Sequence, residues 1–198
     1  MNFEFSDEQQ QLHDTVDRYL TDQYTFEKFR AVNASALGWD KAAWAGLGEL
    51  GVLALNVPTA QGGLGFGPLE TLSVMGACGK RLLLEPFLSS AVIATAVLRA
   101  FAQDAPAVDL LARMATGAAI AVLAHYEPDS RFESQWVGTR ARKSGASYTL
   151  DGHKAVVMHA GAADTLLVSA RVSGEPQDAS GVSLFQIPSN AKGLKLDP

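Results

Sequence analysis

The sequence predicts an α+β protein, with an all-helical part over residues 1–117 followed by an antiparallel β part over 118–198. Two patterns carry this reading. Up to about residue 115, apolar residues recur at three- and four-residue spacing between helix-start and helix-stop residues. Beyond residue 117, short segments rich in Val, Thr and Tyr are separated by Gly, Asp and Ser. A content of 47% hydrophobic and 19% charged residues is the balance of a packed chain, not a disordered one.

Ser6-Asp7-Glu8-Gln9 has the form of a capping box, and Leu12, Val16, Tyr19 and Leu20 follow as one helical stripe. Trp39-Asp40 starts a second helix carrying Ala43, Leu47 and Leu50, and Gly51 ends it by supplying a left-handed residue. Asn56 to Gly67 is a Gly-rich loop. Further helices are expected over Pro68–Lys80, Pro86–Phe101 and Ala107–Ala115. In the β part, Ala119–His125 is a short apolar run. Tyr148-Thr149-Leu150 and Ala155-Val156-Val157-Met158 flank Asp151-Gly152, which suits a hairpin turn with positive φ. Asp164–Arg171 and Gly181–Ile187 supply two more strands, joined by a polar connection from Gly174 to Ser180. The chain stops at Lys195-Leu196-Asp197-Pro198, where a further strand is expected, so the sheet reads as incomplete.

A net charge of −5 and only short basic runs disfavour a nucleic-acid partner. The apolar runs Phe87–Leu98 and Thr116–His125 fall short of the ~20 residues a bilayer-crossing helix needs, and the N-terminus lacks signal-peptide character, so a cytoplasmic location with no membrane association is expected. The single cysteine, Cys78, permits no internal disulfide. The four histidines, His13, His125, His153 and His159, have no metal-ligand spacing, and no metal site is expected. Gly62-Gly63-Leu64-Gly65-Phe66-Gly67 lacks the dinucleotide-binding spacing and a βαβ setting, which leaves a helix-connecting loop. His125 and Glu127 share a face of an extended strand, where they can be an acid–base pair or a satisfied structural histidine beside a carboxylate. Arg140-Ala141-Arg142-Lys143 reads as a solvated hairpin end, with a CoA phosphate as the sharper alternative. No Gly-x-Ser-x-Gly elbow and no nucleophile–base arrangement is present.

Five signatures in order resemble the acyl-CoA dehydrogenase family: Glu8-Gln9 on the first helix, Val57-Pro58 through Gly62-Gly63-Leu64-Gly65, Ala119–His125 leading to Glu127-Pro128, Asp151-Gly152-His153-Lys154, and Gly181-Val182-Ser183-Leu184-Phe185. The likeness is nearest to the small subunits of pimeloyl-CoA dehydrogenase-like bacterial two-subunit enzymes. It implies an N-terminal all-helical domain, an antiparallel β-barrel-like middle domain and a C-terminal helical domain absent from these 198 residues. It also implies FAD, an acyl-CoA substrate, α,β-dehydrogenation by hydride transfer to the flavin, and a homo- or hetero-oligomer with a large dehydrogenase subunit. The family's catalytic base sits in the C-terminal region, so no catalytic residue is expected here.

Carried over position by position, the resemblance makes His125, Tyr126, Val156 and Met158 cofactor-facing, and Arg131 and Phe132 substrate-facing. Tyr126 stands where the family has Thr, Arg131 and Phe132 where it has small residues, and Val156 and Met158 where it has Trp and Thr. Neither Val nor Met stacks like Trp or donates a hydroxyl hydrogen bond. Two readings follow for the intact protein: a flavin-binding dehydrogenase subunit, or a flavin-poor structural partner of such a subunit. An acyl-CoA oxidase or flavin monooxygenase of the same fold is a third.

Overall fold

Ser6 opens the first helix as its spacing predicts: its hydroxyl accepts from Gln9 N while the Gln9 side chain accepts from Ser6 N. The structure, a computed structural model, describes residues 5–131 and 133–197, and the chain divides into two units, Met1–Ile120 and Ala121–Pro198. In the first unit lie α1 (Asp7–Gln23), α2 (Phe26–Asn33), α3 (Lys41–Glu49), α4 (Pro68–Lys80), a π-helical turn (Phe87–Ala94) running into α5 (Thr95–Arg99), and α6 (Ala105–Ala115).

Gln9, His13 and Asp17 recur every four residues on one face of α1, and each meets α4: Gln9 Nε2 donates to Glu70, the His13 ring meets the Ser73 carbonyl, and Lys80 donates to Asp17. Because both sets of partners ascend together, the two helices run side by side in the same direction. Val16, Leu20, Leu47, Val57, Val74, Leu98, Leu110 and Leu111 form the apolar interior.

The buried carboxyl of Glu85 ties three pieces of this unit together, accepting from the N–H of Asp40, the N-cap of α3, and meeting the hydroxyl of Tyr24 at the end of α1, directly before Pro86 and the π-turn. Two features depart from the expected elements. The helix α2 starts on Thr25, whose hydroxyl accepts from Lys28 N. The expected single helix Pro86–Phe101 is π-wound over its first half, where Asn56 Nδ2 and Thr95 Oγ1 donate to the Ala91 and Ser90 carbonyls.

In the Gly-rich loop, the N–H groups of Gly62, Gly63, Leu64, Gly65 and Phe66 donate to the Thr59, Pro58, Ala54, Val57 and Leu55 carbonyls, and that of Gly67 donates to Glu70. A Cβ on Gly63 would lie 1.9 Å from the Val57 carbonyl oxygen, so only glycine allows this close return. With its donors spent internally, the loop is a connector, not a phosphate cradle.

The second unit is a five-stranded sheet: β1 (Ala121–Ala124), β2 (Arg140–Ser144), β3 (Ser147–Asp151), β4 (Thr165–Arg171) and β5 (Val182–Pro188). The antiparallel pairs expected of this half are present as β2–β3 and β4–β5, but the sheet is mixed: β4 runs parallel to β1 (Ala121↔Thr165 to Ala124↔Val168) and meets β2 in parallel at Arg140↔Arg171. The 40 residues between β1 and β4 provide the long crossover that parallel pairing requires. Strand β4 is correspondingly a nearly continuous apolar run, Leu166-Leu167-Val168 with Ala170, buried on both faces.

The hairpin expected at Asp151-Gly152 is not there. The turn lies at Gly145 (φ 62°) between β2 and β3, and residues 152–157 leave the sheet. Gly152 does not serve a positive φ; a Cβ on it would lie 2.3 Å from Thr139 Oγ1, so it permits a close crossing of Thr139. Lys154, two residues on, is drawn inward to Glu127, which pulls the segment away from strand pairing. The basic run Arg140–Lys143 is therefore strand β2, with a solvent-exposed tip at Arg142-Lys143.

Candidate functional site

Strand β1 ends at Ala124, and the next three residues pass through a buried polar cluster. The Glu127 carboxylate accepts from Gly138 N (3.0 Å), Thr139 N (3.0 Å) and Lys154 Nζ (2.6 Å). The two side chains of this ion pair are 6% and 10% exposed. Lys154 also donates to the His125 carbonyl (3.0 Å) and to Ser169 Oγ (3.0 Å) on β4, so all three ammonium hydrogens are committed.

Burial by itself would raise the Glu127 carboxyl, but the hydrogen bonds from Lys154 and Thr139 outweigh it and hold the group below the usual carboxylate range. Burial lowers the Lys154 ammonium, and Glu127 offsets part of that. A pair so placed stabilises only as a pair, because removing one partner strands a desolvated charge.

The local sequence explains how this cluster forms. Pro128 follows Glu127 and begins a single helical turn, Pro128–Ser130, closed by Ser130 Oγ donating back to the Glu127 carbonyl (2.8 Å). That turn reverses the chain, and Gly138 and Thr139 then present their N–H groups to the Glu127 carboxylate.

The His125 ring turns to Ser169 Oγ through Nδ1 (2.9 Å) and to the Ser134 carbonyl through Nε2 (2.9 Å), while Glu127 turns to Lys154. His125 is thus a satisfied structural histidine, not half of an acid–base pair with Glu127. The Ser134 carbonyl can only accept, so Nε2–H donates to it, and Ser169 Oγ, which meets Nδ1, also accepts from Lys154.

The remaining sequence-predicted residues are distributed as follows. Ala155 N donates to the Tyr126 carbonyl (2.8 Å), which lays the segment leading into Val156 beside Tyr126. Tyr126 is 38% exposed, Val156 71% and Met158 47%, and the His125 ring packs edge-on against Tyr126 at 5.4 Å. Arg131 is exposed and left-handed at φ 49°. Phe132 lies outside the described residues. Val156 also lines a cleft of about 1100 Å³ within this unit, together with Lys154, Leu166, Val168, Phe185 and Ile187. The structure therefore brings His125, Tyr126 and the Lys154–Val156 segment together.

Of the inward-facing members of the cluster, Lys154 enters the sequence reading only as the last residue of the Asp151–Lys154 signature, and Ser169 and Thr139 carry no signal there. Lys154 is 27 residues from Glu127 and Ser169 is 44 from His125, distances over which side-chain pairing leaves no local pattern. The one signal the sequence offers is Lys154 itself, two positions after Gly152, where it reads as part of a turn. Among the described residues no group of three or more His, Cys, Asp or Glu side chains is placed to hold a metal ion, and no helix is long and apolar enough to cross a membrane.

Residues 6–118 match the acyl-CoA dehydrogenase N-terminal domain and residues 123–198 the acyl-CoA dehydrogenase middle domain. Among curated relatives, the chain is 30% identical over 158 residues to acyl-CoA dehydrogenase FadE12 of Mycobacterium tuberculosis, covering 78% of this chain and 40% of that one. It is 28% identical over 204 residues to mitochondrial isovaleryl-CoA dehydrogenase of Pongo abelii, covering 97% and 47%. Among solved structures it is similar to the Tcur3481-Tcur3483 steroid ACAD G363A variant (TM-score 0.80, 28% identity, 94% of this chain and 49% of that one). It is likewise similar to the ChsE4-ChsE5 complex of Mycobacterium tuberculosis (TM-score 0.80, 26% identity, 98% and 50%). The chain thus spans half or less of the length of these relatives.

Proposed function

We propose that this chain, which belongs to the acyl-CoA dehydrogenase family, supplies the N-terminal and middle domains of a flavin-dependent oxidoreductase that forms the α,β double bond of an acyl-CoA thioester. The observation that carries the proposal is the Lys154–Glu127 clamp: it fixes residues 125–127 against residues 152–155, and beside it Tyr126 and Val156 present aromatic and apolar surface outward, with Met158 exposed two residues further on. Exposed apolar side chains on a rigid polar support suit a planar ring, and the Tyr126 hydroxyl adds a hydrogen-bonding group. Tyr126, Val156 and Met158 are the residues that would hold FAD.

When bound, the flavin supplies the hydride acceptor. In this reading Tyr126, Val156 and Met158 would hold the ring and keep water from it, His125 braces Tyr126, and Arg131 would border the acyl-CoA. Glu127 is committed to Lys154 and two backbone N–H groups, so it is a structural carboxylate, and no catalytic base is assigned among these residues. Similarity to structures whose names join two chains, ChsE4-ChsE5 and Tcur3481-Tcur3483, supports work as one member of a two-subunit enzyme.

A second reading, a flavin-poor structural partner, is favoured by Arg131, Val156 and Met158, which bring bulk without a stacking ring or a hydroxyl. The deciding experiment is the visible spectrum and acyl-CoA-dependent dye reduction of the protein co-expressed with its genomic neighbour. Flavin absorbance with dye reduction is expected; absence of both sinks the dehydrogenase proposal.

A further inference from the structure

Among the described residues, four other than glycine adopt left-handed backbone, Leu82, Arg131, Val156 and His159, and of these only Val156 (φ 53°) is β-branched. A branched Cβ crowds the following carbonyl in this region, so the conformation is costly and persists only where the surroundings enforce it. Packing does not reward it within the chain, since the Val156 side chain is 71% exposed. The chain is held on both sides of it: Lys154 is pinned by the His125 carbonyl, Glu127 and Ser169, Ala155 N is bonded to the Tyr126 carbonyl, and the Val157 carbonyl accepts from Ala160 N. The chain thus spends a buried ion pair to hold an exposed apolar residue in an unfavourable backbone state.

Resting on the flavin reading above, we propose that Lys154 and the left-handed Val156 form one positioning device. The Lys154 clamp sets the turn, and the turn aims the Val156 side chain at the flavin ring, so that Val156 and Tyr126 form a wall already in place before FAD arrives. A preformed wall lowers the ordering cost of binding. Lys154, with all three hydrogens committed, acts through Val156 and does not touch the flavin.

The test is FAD titration of the purified full-length protein, with any partner it copurifies with, followed by flavin fluorescence, the visible spectrum of bound flavin and the thermal unfolding midpoint. Val156→Gly removes both the apolar contact and the backbone strain. Its expected signature is a dissociation constant raised at least fivefold with an unfolding midpoint equal to or above that of the unaltered protein, a combination that simple damage to the fold would not produce. Lys154→Met combined with Glu127→Gln removes both charges of the clamp and is expected to raise the dissociation constant at least tenfold and to shift the bound-flavin spectrum. If the double variant fails to fold, Val156→Gly alone decides, because its side chain lies outside the core. Wild-type-like FAD affinity in the folded variants overturns the positioning device and leaves the flavin reading standing. Absence of FAD binding by the unaltered protein overturns both.

Discussion

Glu85 is a single side chain whose ionisation bears on the stability of the helical unit. Its carboxyl is 3% exposed, and burial, the largest influence, pushes it above the ordinary carboxylate range against the opposing pull of the Asp40 N–H. The groups around it include Tyr24, Asp40 with its Lys28 partner, and Cys78, whose thiol is pushed up to about 12 mainly by burial and also by Glu85 itself. A carboxyl raised in the folded state binds its proton more tightly there than in the unfolded chain. Its contribution to stability is therefore fully present below the unfolded value and is lost as pH rises through the folded one. Glu85→Gln removes that ionisation while keeping the shape and the acceptor for Asp40 N. Relative to the unaltered protein, the variant is expected to gain on the order of 1 kcal/mol of stability between acidic and neutral pH. Urea unfolding at a series of pH values checks this, and a difference between the two proteins that does not change with pH would refute it.

At the scale of elements, β4 and the connection after it depend on Arg171. This arginine is 1% exposed, and its guanidinium meets backbone carbonyls: Nε donates to that of Val137, Nη1 to those of Ser173 and Ser180, and Nη2 to those of Pro176 and Asp178. One guanidinium thus organises residues 172–181, within which Gly174 to Ser180 reads from sequence as an exposed polar connection. Arg171→Lys keeps the charge but has three donors for five carbonyls, and is expected to cost about 2–4 kcal/mol. Urea unfolding and the rate of proteolytic cleavage within residues 172–181 would measure it, with both moving together. Elements specified locally were legible in the sequence: the Ser6–Gln9 capping box, helix Pro68–Lys80, the left-handed Gly51 and strands β4 and β5. Those set by distant partners were not. Asp151-Gly152 has the composition of a turn, yet Gly152 is there to pass Thr139, and the sheet is mixed because of a 40-residue crossover. The α2 helix hid for a different reason: Phe26 and Phe29 stack on one another at 5.8 Å, and with Phe26 exposed the stretch gives no clean inward stripe.

For the whole molecule, the question is whether a chain spanning about half the length of its relatives carries a flavin site or lends structure to one. Both readings share the fold, so stability under ligand separates them better than geometry does. A ligand that binds only the folded state adds RT ln(1 + [L]/Kd), about 2.7 kcal/mol at a hundredfold excess over Kd. If Tyr126, Val156 and Met158 hold the ring, that increment belongs to the unit Ala121–Pro198, whose sole tryptophan is Trp136. The other two, Trp39 and Trp44, are in the unit Met1–Ile120, so protein in which both are replaced by Phe reports the β unit by fluorescence. Saturating FAD is expected to raise the Trp136 unfolding midpoint by several degrees in the chain alone, and Val156→Gly to abolish most of the rise. A rise that occurs only with the partner subunit present would instead assign the flavin to the partner and leave this chain as its structural complement.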